Sequence, residues 1–128
     1  MPKILVMDDD PDIIDALDTL LGGEGYEVIT AHDGEEGLAK IREEYPDMII
    51  LDMLMPRLDG YGVYKALHDP QWSEWKDIPI VILTSVSEDV SHRRYELETG
   101  VRMEVAAYIE KPIDPDVILE GVRSILEA

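Results

Sequence analysis

Cysteine is absent from the 128 residues, which excludes disulfides, thiolate metal sites and a cysteine nucleophile, and suits a reducing cytosol. Bases are scarce: 11 Lys and Arg stand against 29 Asp and Glu, a formal net charge of -18 at pH 7. Such a chain repels phosphate at long range, which argues against unaided binding to nucleic acid or to an anionic membrane. Long apolar runs are missing as well. The first, Ile4–Met7, meets acid after four residues, too short for a signal sequence or a membrane span. No G-x-G-x-x-G or P-loop opens a helical segment, so nucleotide binding of those kinds is not expected. Internal repeats, low-complexity tracts and linkers are also lacking.

What remains is ample for one core. Hydrophobic residues make up 45% of the chain, so the acidity is no sign of disorder. The length suits one domain and is too short for two good cores. The expectation is a single cytoplasmic domain over residues 1–128, with no output domain in this chain.

Five short apolar runs predict strands: Ile4–Met7, Tyr26–Thr30, Met48–Leu51, Ile78–Leu83 and Val105–Ile109. Several are continuous rather than alternating, as in strands buried on both faces of a parallel sheet. Helical spacing lies between them. Ile13, Ile14, Leu17, Leu20 and Leu21 form one stripe, with Asp10 as cap, Pro11 in the first turn and Gly22–Gly23 as the stop. Further helices are expected from about Asp33 to Glu44, near Leu58–His68, near Ser87–Thr99, and after Asp114–Pro115. The stretch Asp69–Asp77, with Pro70, Trp72 and Trp75, reads as a surface loop. The Trp pair and Tyr61/Tyr64 read as packing residues, and His32, His68 and His92, which lack ligand spacing, as surface residues. Strict β-α alternation predicts an open parallel α/β sheet with helices on both faces.

In such sheets ligands gather beyond the carboxyl ends of the strands. The first strand ends in Asp8, Asp9 and Asp10, the third in Asp52, the fourth in Thr84 and Ser85, and the fifth in Glu110, Lys111 and Pro112. Taken singly, each is ordinary: Asp10 is a helix cap, Asp52 a turn residue, Lys111 a surface lysine. Together they are not. Carboxylates a few ångströms apart cannot all stay ionised without a counter-charge. A hard divalent cation answers them, Mg²⁺ first and Mn²⁺ as substitute, because both take carboxylate and phosphate oxygens. Lys111 adds a point charge for a phosphoryl oxygen and Thr84 a hydroxyl. Asp52 is then a nucleophile able to form an aspartyl phosphate.

Four stretches carry a family resemblance: Lys3–Asp9 (KILVMDD), Pro46–Gly60 (PDMIILDMLMPRLDG), Ile78–Ser85 (IPIVILTS) and Tyr108–Pro112 (YIEKP). In this order, across nearly the whole chain, they resemble the receiver domain of two-component response regulators. The resemblance implies a flavodoxin-like (βα)5 fold, a doubly wound parallel five-stranded sheet of order 2-1-3-4-5. It implies that Asp52 is the phosphoacceptor, fed by a histidine kinase or histidine phosphotransfer protein. Asp9 would bind Mg²⁺ directly, Asp8 chiefly through water, and the Leu54 carbonyl would add a ligand. Thr84, with Ser85 beside it, corresponds to the switch hydroxyl, Tyr108 to the aromatic that turns inward, and Lys111 to the phosphate-binding lysine. Lys111–Pro112 would be a cis peptide, and Pro56 and Gly60 would shape the loop after Asp52. The output would be a change in the face formed by the fourth helical segment, the fifth strand and the last helix, read by a partner or by a second copy in a phosphorylation-dependent homodimer.

The chain departs from the family pattern in two places. Thr84 and Lys111 lie 27 positions apart, more than the family usually needs, and Gly100–Ala106 replaces a short Gly-Ala turn. Leu54 and Val86, which flank the path of hydrolytic water in the family, are both apolar. Slow autodephosphorylation is therefore expected. Two rival readings stand beside the switch. A haloacid-dehalogenase-like phosphatase would use Asp8 as nucleophile, but Asp12 and Pro11 break its motif and no cap domain fits. A degenerate receiver would bind partners without phosphorylation, against which the complete residue set counts.

Overall fold

The computed structural model describes residues 1–53, 55–84 and 105–127. The readings placed on Leu54, Ser85, Val86, the helical segment at 87–99 and the turn that follows it lie outside the described residues. Five strands form one sheet: β1 (Lys3–Met7), β2 (Glu27–Ala31), β3 (Met48–Asp52), β4 (Ile80–Thr84) and β5 (Ala107–Glu110). Every pairing is parallel and the order is β2-β1-β3-β4-β5, as the resemblance implies. The described helices are α1 (Pro11–Gly23), α2 (Gly34–Glu44), α3 (Gly60–Leu67) and α4 (Pro115–Leu126).

The continuous apolar runs are explained by two cores, one on each face. Successive strand residues point to opposite faces, so Leu5, Met7, Ile49, Leu51, Ile80 and Ile82 enter the core that includes Ile41 of α2 and Val63 and Leu67 of α3. Their neighbours Ile4, Val6, Met48, Ile50, Val81 and Leu83 enter the other, with Leu17 of α1 and Val122 of α4. β3, in the middle, is buried at every residue. β2 and β5, at the edges, are buried at one residue each.

Local signals set the helix ends. The Asp10 and Asp114 side chains accept from the Asp12 and Asp116 amides, each with Pro in the first turn, as expected. Gly22 and Gly23 close α1, while the positive φ of 90° that turns the chain falls on Gly25. One reading needs correction. The stretch from Asp69 is no loop: Pro70–Trp75 is a 3₁₀ helix, capped by Asp69 accepting from Gln71 N. It starts with the same Asp-Pro step as α1 and α4, but its apolar spacing covers too few residues to show. Trp72 and Trp75 pack against the core on the α2–α3 side, their rings 5.1 Å apart with the Arg42 guanidinium 4.2 Å from the Trp72 ring. At the far end of the chain, Arg123 pairs with Glu24 at 2.8 Å and Tyr26 Oη donates to Glu127 at 3.4 Å. These bonds tie the last turn of α4 to the turn between α1 and β2.

Candidate functional site

Because all five strands run the same way, β1, β3, β4 and β5 deliver their last residues to one edge of the sheet. β1 delivers Asp8, whose amide donates to Ala31 O across the ladder at 3.1 Å. β3 delivers Asp52, in register with Leu83, and β4 delivers Thr84, in register with Glu110. The chain leaves β5 by donating Lys111 N to Thr84 O at 2.7 Å, which turns Lys111 back over the edge. Lys111–Pro112 is cis.

The side chains converge. Lys111 Nζ lies 3.1 Å from Asp52 Oδ1 and 3.6 Å from Asp8 Oδ2. One carboxylate oxygen from each of Asp8, Asp9 and Asp52 falls within 4.8 Å of the others. Asp8 is fully buried and Asp52 nearly so, while Asp9 is exposed. Asp8 Oδ1 accepts from the Asp10 amide at 2.9 Å. Its other oxygen, Oδ2, is the one buried side-chain oxygen among the described residues with no hydrogen bond. Burial pushes the Asp8 carboxyl up to about 6, opposed by the Asp10 amide and helped by the charge of Asp52.

These facts fit a divalent cation. Three carboxylates against one ammonium leave two negative charges when all are ionised, and the orphaned oxygen of Asp8 faces that cluster. Oxygen donors of this kind suit Mg²⁺ and Mn²⁺. An exposed Asp9 beside two buried partners leaves one side of the cluster open to water and ligand.

The remaining residues singled out in the sequence are placed as follows. Thr84 is half-buried at the end of β4. Tyr108, paired in register with Ile82, stands 47% exposed on the edge strand, in an outward position. Pro56 is exposed. Gly60, the first residue of α3, donates to Met53 O at 3.0 Å. A Cβ there would sit 2.7 Å from the Asp52 carbonyl oxygen and the Met53 Cα, so only glycine allows α3 to start against the end of β3. Three residues nearby carry no site signal in the sequence: Asp33, which reads only as the start of a helix, Gly34 and Arg57. The spacing Asp33-x-x-Glu36 is a capping-box signal, and Asp33 does cap α2 by accepting from Glu36 N at 2.8 Å. Nothing in the sequence shows that Arg57 reaches Asp33, at 3.4 Å.

Known proteins bear on this arrangement. The model of the response regulator receiver domain matches residues 4–123. A probable transcriptional regulator, ycf27, of Porphyridium aerugineum is 43% identical over 97% of this chain and 48% of its own length. The alkaline phosphatase synthesis transcriptional regulatory protein PhoP of Bacillus subtilis is 38% identical over the same share of each. The chain thus spans about half the length of the curated relatives it matches. Among solved structures, a putative response regulator from Chloroflexus aurantiacus is 34% identical with a TM-score of 0.80, all of both chains being covered. The chemotaxis protein CheY4 of Vibrio cholerae is 31% identical, also at 0.80, over 98% of this chain and 99% of its own. Sheet order, strand-end residues and these likenesses agree, and the phosphatase reading is not favoured: this chain belongs to the response regulator receiver family.

Proposed function

We propose that Asp52 accepts a phosphoryl group from a phosphohistidine on a histidine kinase or histidine phosphotransfer protein, and that the acyl phosphate switches the domain between two packings. In the transfer, a carboxylate oxygen of Asp52 bonds to phosphorus while the phosphorus–nitrogen bond breaks, and the imidazole leaves with a proton from solvent. The observation that carries this reading is the placement of Lys111 between Asp52 and the Asp8 oxygen that lacks a hydrogen bond.

Asp8, Asp9 and Asp52 would hold Mg²⁺ or Mn²⁺, with the Leu54 carbonyl as a further ligand on the family pattern. When bound, the cation supplies positive charge against the phosphoryl oxygens. Lys111 holds Asp52 in place before transfer and takes one of the added oxygens afterwards. Phosphorylation adds close to two negative charges, and the hydroxyl of Thr84, at the end of β4, and that of Ser85, next in the sequence, are the neutral donors that answer them. As Thr84 moves inward, Tyr108 leaves its outward position. The face of the fourth helical segment, β5 and α4 then binds an output partner or a second copy. Taking such an equilibrium from almost all inactive to almost all active needs about 5.5 kcal/mol of differential stabilisation, within reach of several charge-assisted bonds in a buried site.

The domain is a switch rather than a metabolic catalyst, and with Leu54 and Val86 apolar it loses its phosphoryl group slowly. Its relatives are named as transcriptional regulators, and we read the output here as transcription too. A domain of charge -18 would leave DNA contact to another part or partner. Residues 1–128 form one receiver unit acting in the cytoplasm, and no described helix is long and apolar enough to cross a membrane.

The test is direct. Incubation with acetyl phosphate and Mg²⁺ should add one phosphoryl group, located on Asp52 by mass spectrometry of hydroxylamine-sensitive peptides. Asp52→Asn and chelation of the metal should each abolish it. A label on Asp8, or none at all, overturns the proposal in favour of one or other rival.

A further inference from the structure

The stretch from Met53 to Asp59 connects the acceptor strand to α3, and two helices hold it. At its start, Gly60 N donates to Met53 O, and the missing Cβ lets α3 touch the backbone of Asp52 and Met53. At its end, α2 does the same: Gly34 N donates to Leu58 O at 3.0 Å, and a Cβ at Gly34 would overlap that carbonyl oxygen. A side-chain tie lies alongside, Arg57 Nη1 to Asp33 Oδ2 at 3.4 Å. Arg57 adopts a φ of 66°, a left-handed conformation uncommon outside glycine, while its side chain is 69% exposed. Asp33 is buried and its other oxygen caps α2, so the tie joins the peptide after Asp52 to the first turn of a helix rather than to a mobile side chain.

We propose that Asp33, Gly34 and Arg57 are positioning residues for the acceptor site: the first turn of α2 clamps the connection after Asp52 and so fixes the carboxylate cluster for cation binding. The inference rests on the receiver reading of the cluster. Its physical basis is that a cation site tolerates little displacement of its ligands, so groups that orient ligands control affinity without touching the metal. Gly34 cannot be replaced without moving Leu58, and the neighbour that must give is backbone, not the end of a flexible side chain.

The test is calorimetric titration of the metal-free chain with MgCl₂, beside thermal unfolding of each variant. Gly34→Ala should raise the Mg²⁺ dissociation constant by about tenfold. Arg57→Gln should raise it also, by a smaller factor. The sign is diagnostic, because loss of a positive charge near the cluster strengthens cation binding on electrostatic grounds alone. Ile41→Val, in the same helix but facing the core, should leave affinity within about twofold of the parent although it unfolds earlier. Where Gly34→Ala fails to fold, Arg57→Gln decides. Mg²⁺ affinity within twofold of the parent for the deciding variant, or an equal loss in Ile41→Val, overturns the clamp. A parent that binds Mg²⁺ yet takes no phosphoryl group at Asp52 refutes the acceptor reading alone. A parent that binds no Mg²⁺ refutes both.

Discussion

At the scale of single residues, Asp8 makes the sharpest demand. Its carboxyl is raised from 3.8 to about 6 by burial, so between those values the folded protein holds a proton the unfolded chain has shed. Stability from this group therefore falls as pH rises through that interval, and above it the penalty is at most about 3 kcal/mol in the metal-free protein. Asp8→Asn should raise metal-free stability at about pH 7 and have little effect near pH 4, as urea titrations at the two pH values would show. Equal shifts at both would place the cost elsewhere. Leu54 and Val86 make a second residue-scale demand. Polar replacements such as Leu54→Asn or Val86→Glu should shorten the acyl-phosphate half-life by orienting water, and a half-life that lengthens instead would sink the idea. The acidic pair, Asp52, Thr84 and Lys111 were visible in the sequence because each ends an apolar run. The tie between Asp33 and Arg57 was not: it spans 24 positions and involves a left-handed residue that no local pattern signals.

Among the elements, the Asp-Pro step recurs at the start of α1, of the 3₁₀ helix and of α4. Aspartate supplies an acceptor for an orphan amide, and proline fills a position whose amide has no partner. Asp114→Ala should cost α4 about 1 kcal/mol, seen as a lower urea midpoint with unchanged slope. An unchanged midpoint would mean that packing of Ile118 and Val122 alone holds the helix. Strands and long helices were legible because burial on one or two faces writes a period into several residues. The 3₁₀ helix, six residues long with none fully buried, carries too little period to stand out from a loop, and its Asp69–Pro70 start was the better signal. Strand ends shifted by one or two residues for a related reason. Apolar content marks the core, whereas pairing marks the strand, and Ile49 N still donates to Pro79 O outside β4.

For the molecule as a whole, the charge of -18 belongs mostly to the surface. Without Asp8, Asp9, Asp10 and Asp52 the balance would still be -14. Such self-repulsion weakens the compact state. Raising ionic strength from about 0.01 to 0.15 M shortens the Debye length from about 30 to 8 Å, and should raise the unfolding temperature of the metal-free protein. An unchanged or lower temperature would show that surface pairs such as Lys3–Glu44 already balance the repulsion. Sheet order came through the family likeness, since strand periodicity alone leaves the crossovers open, and the two cores follow once that order is set. The parallel sheet also gives the molecule two unlike poles. β1 begins at the pole where β2 begins, and α4 ends there, its last turn bound to Glu24 and Tyr26. Residues 1 and 127 thus lie toward the pole opposite the carboxylates, so a peptide or domain joined at either end would depart without crossing the open side of the carboxylate cluster.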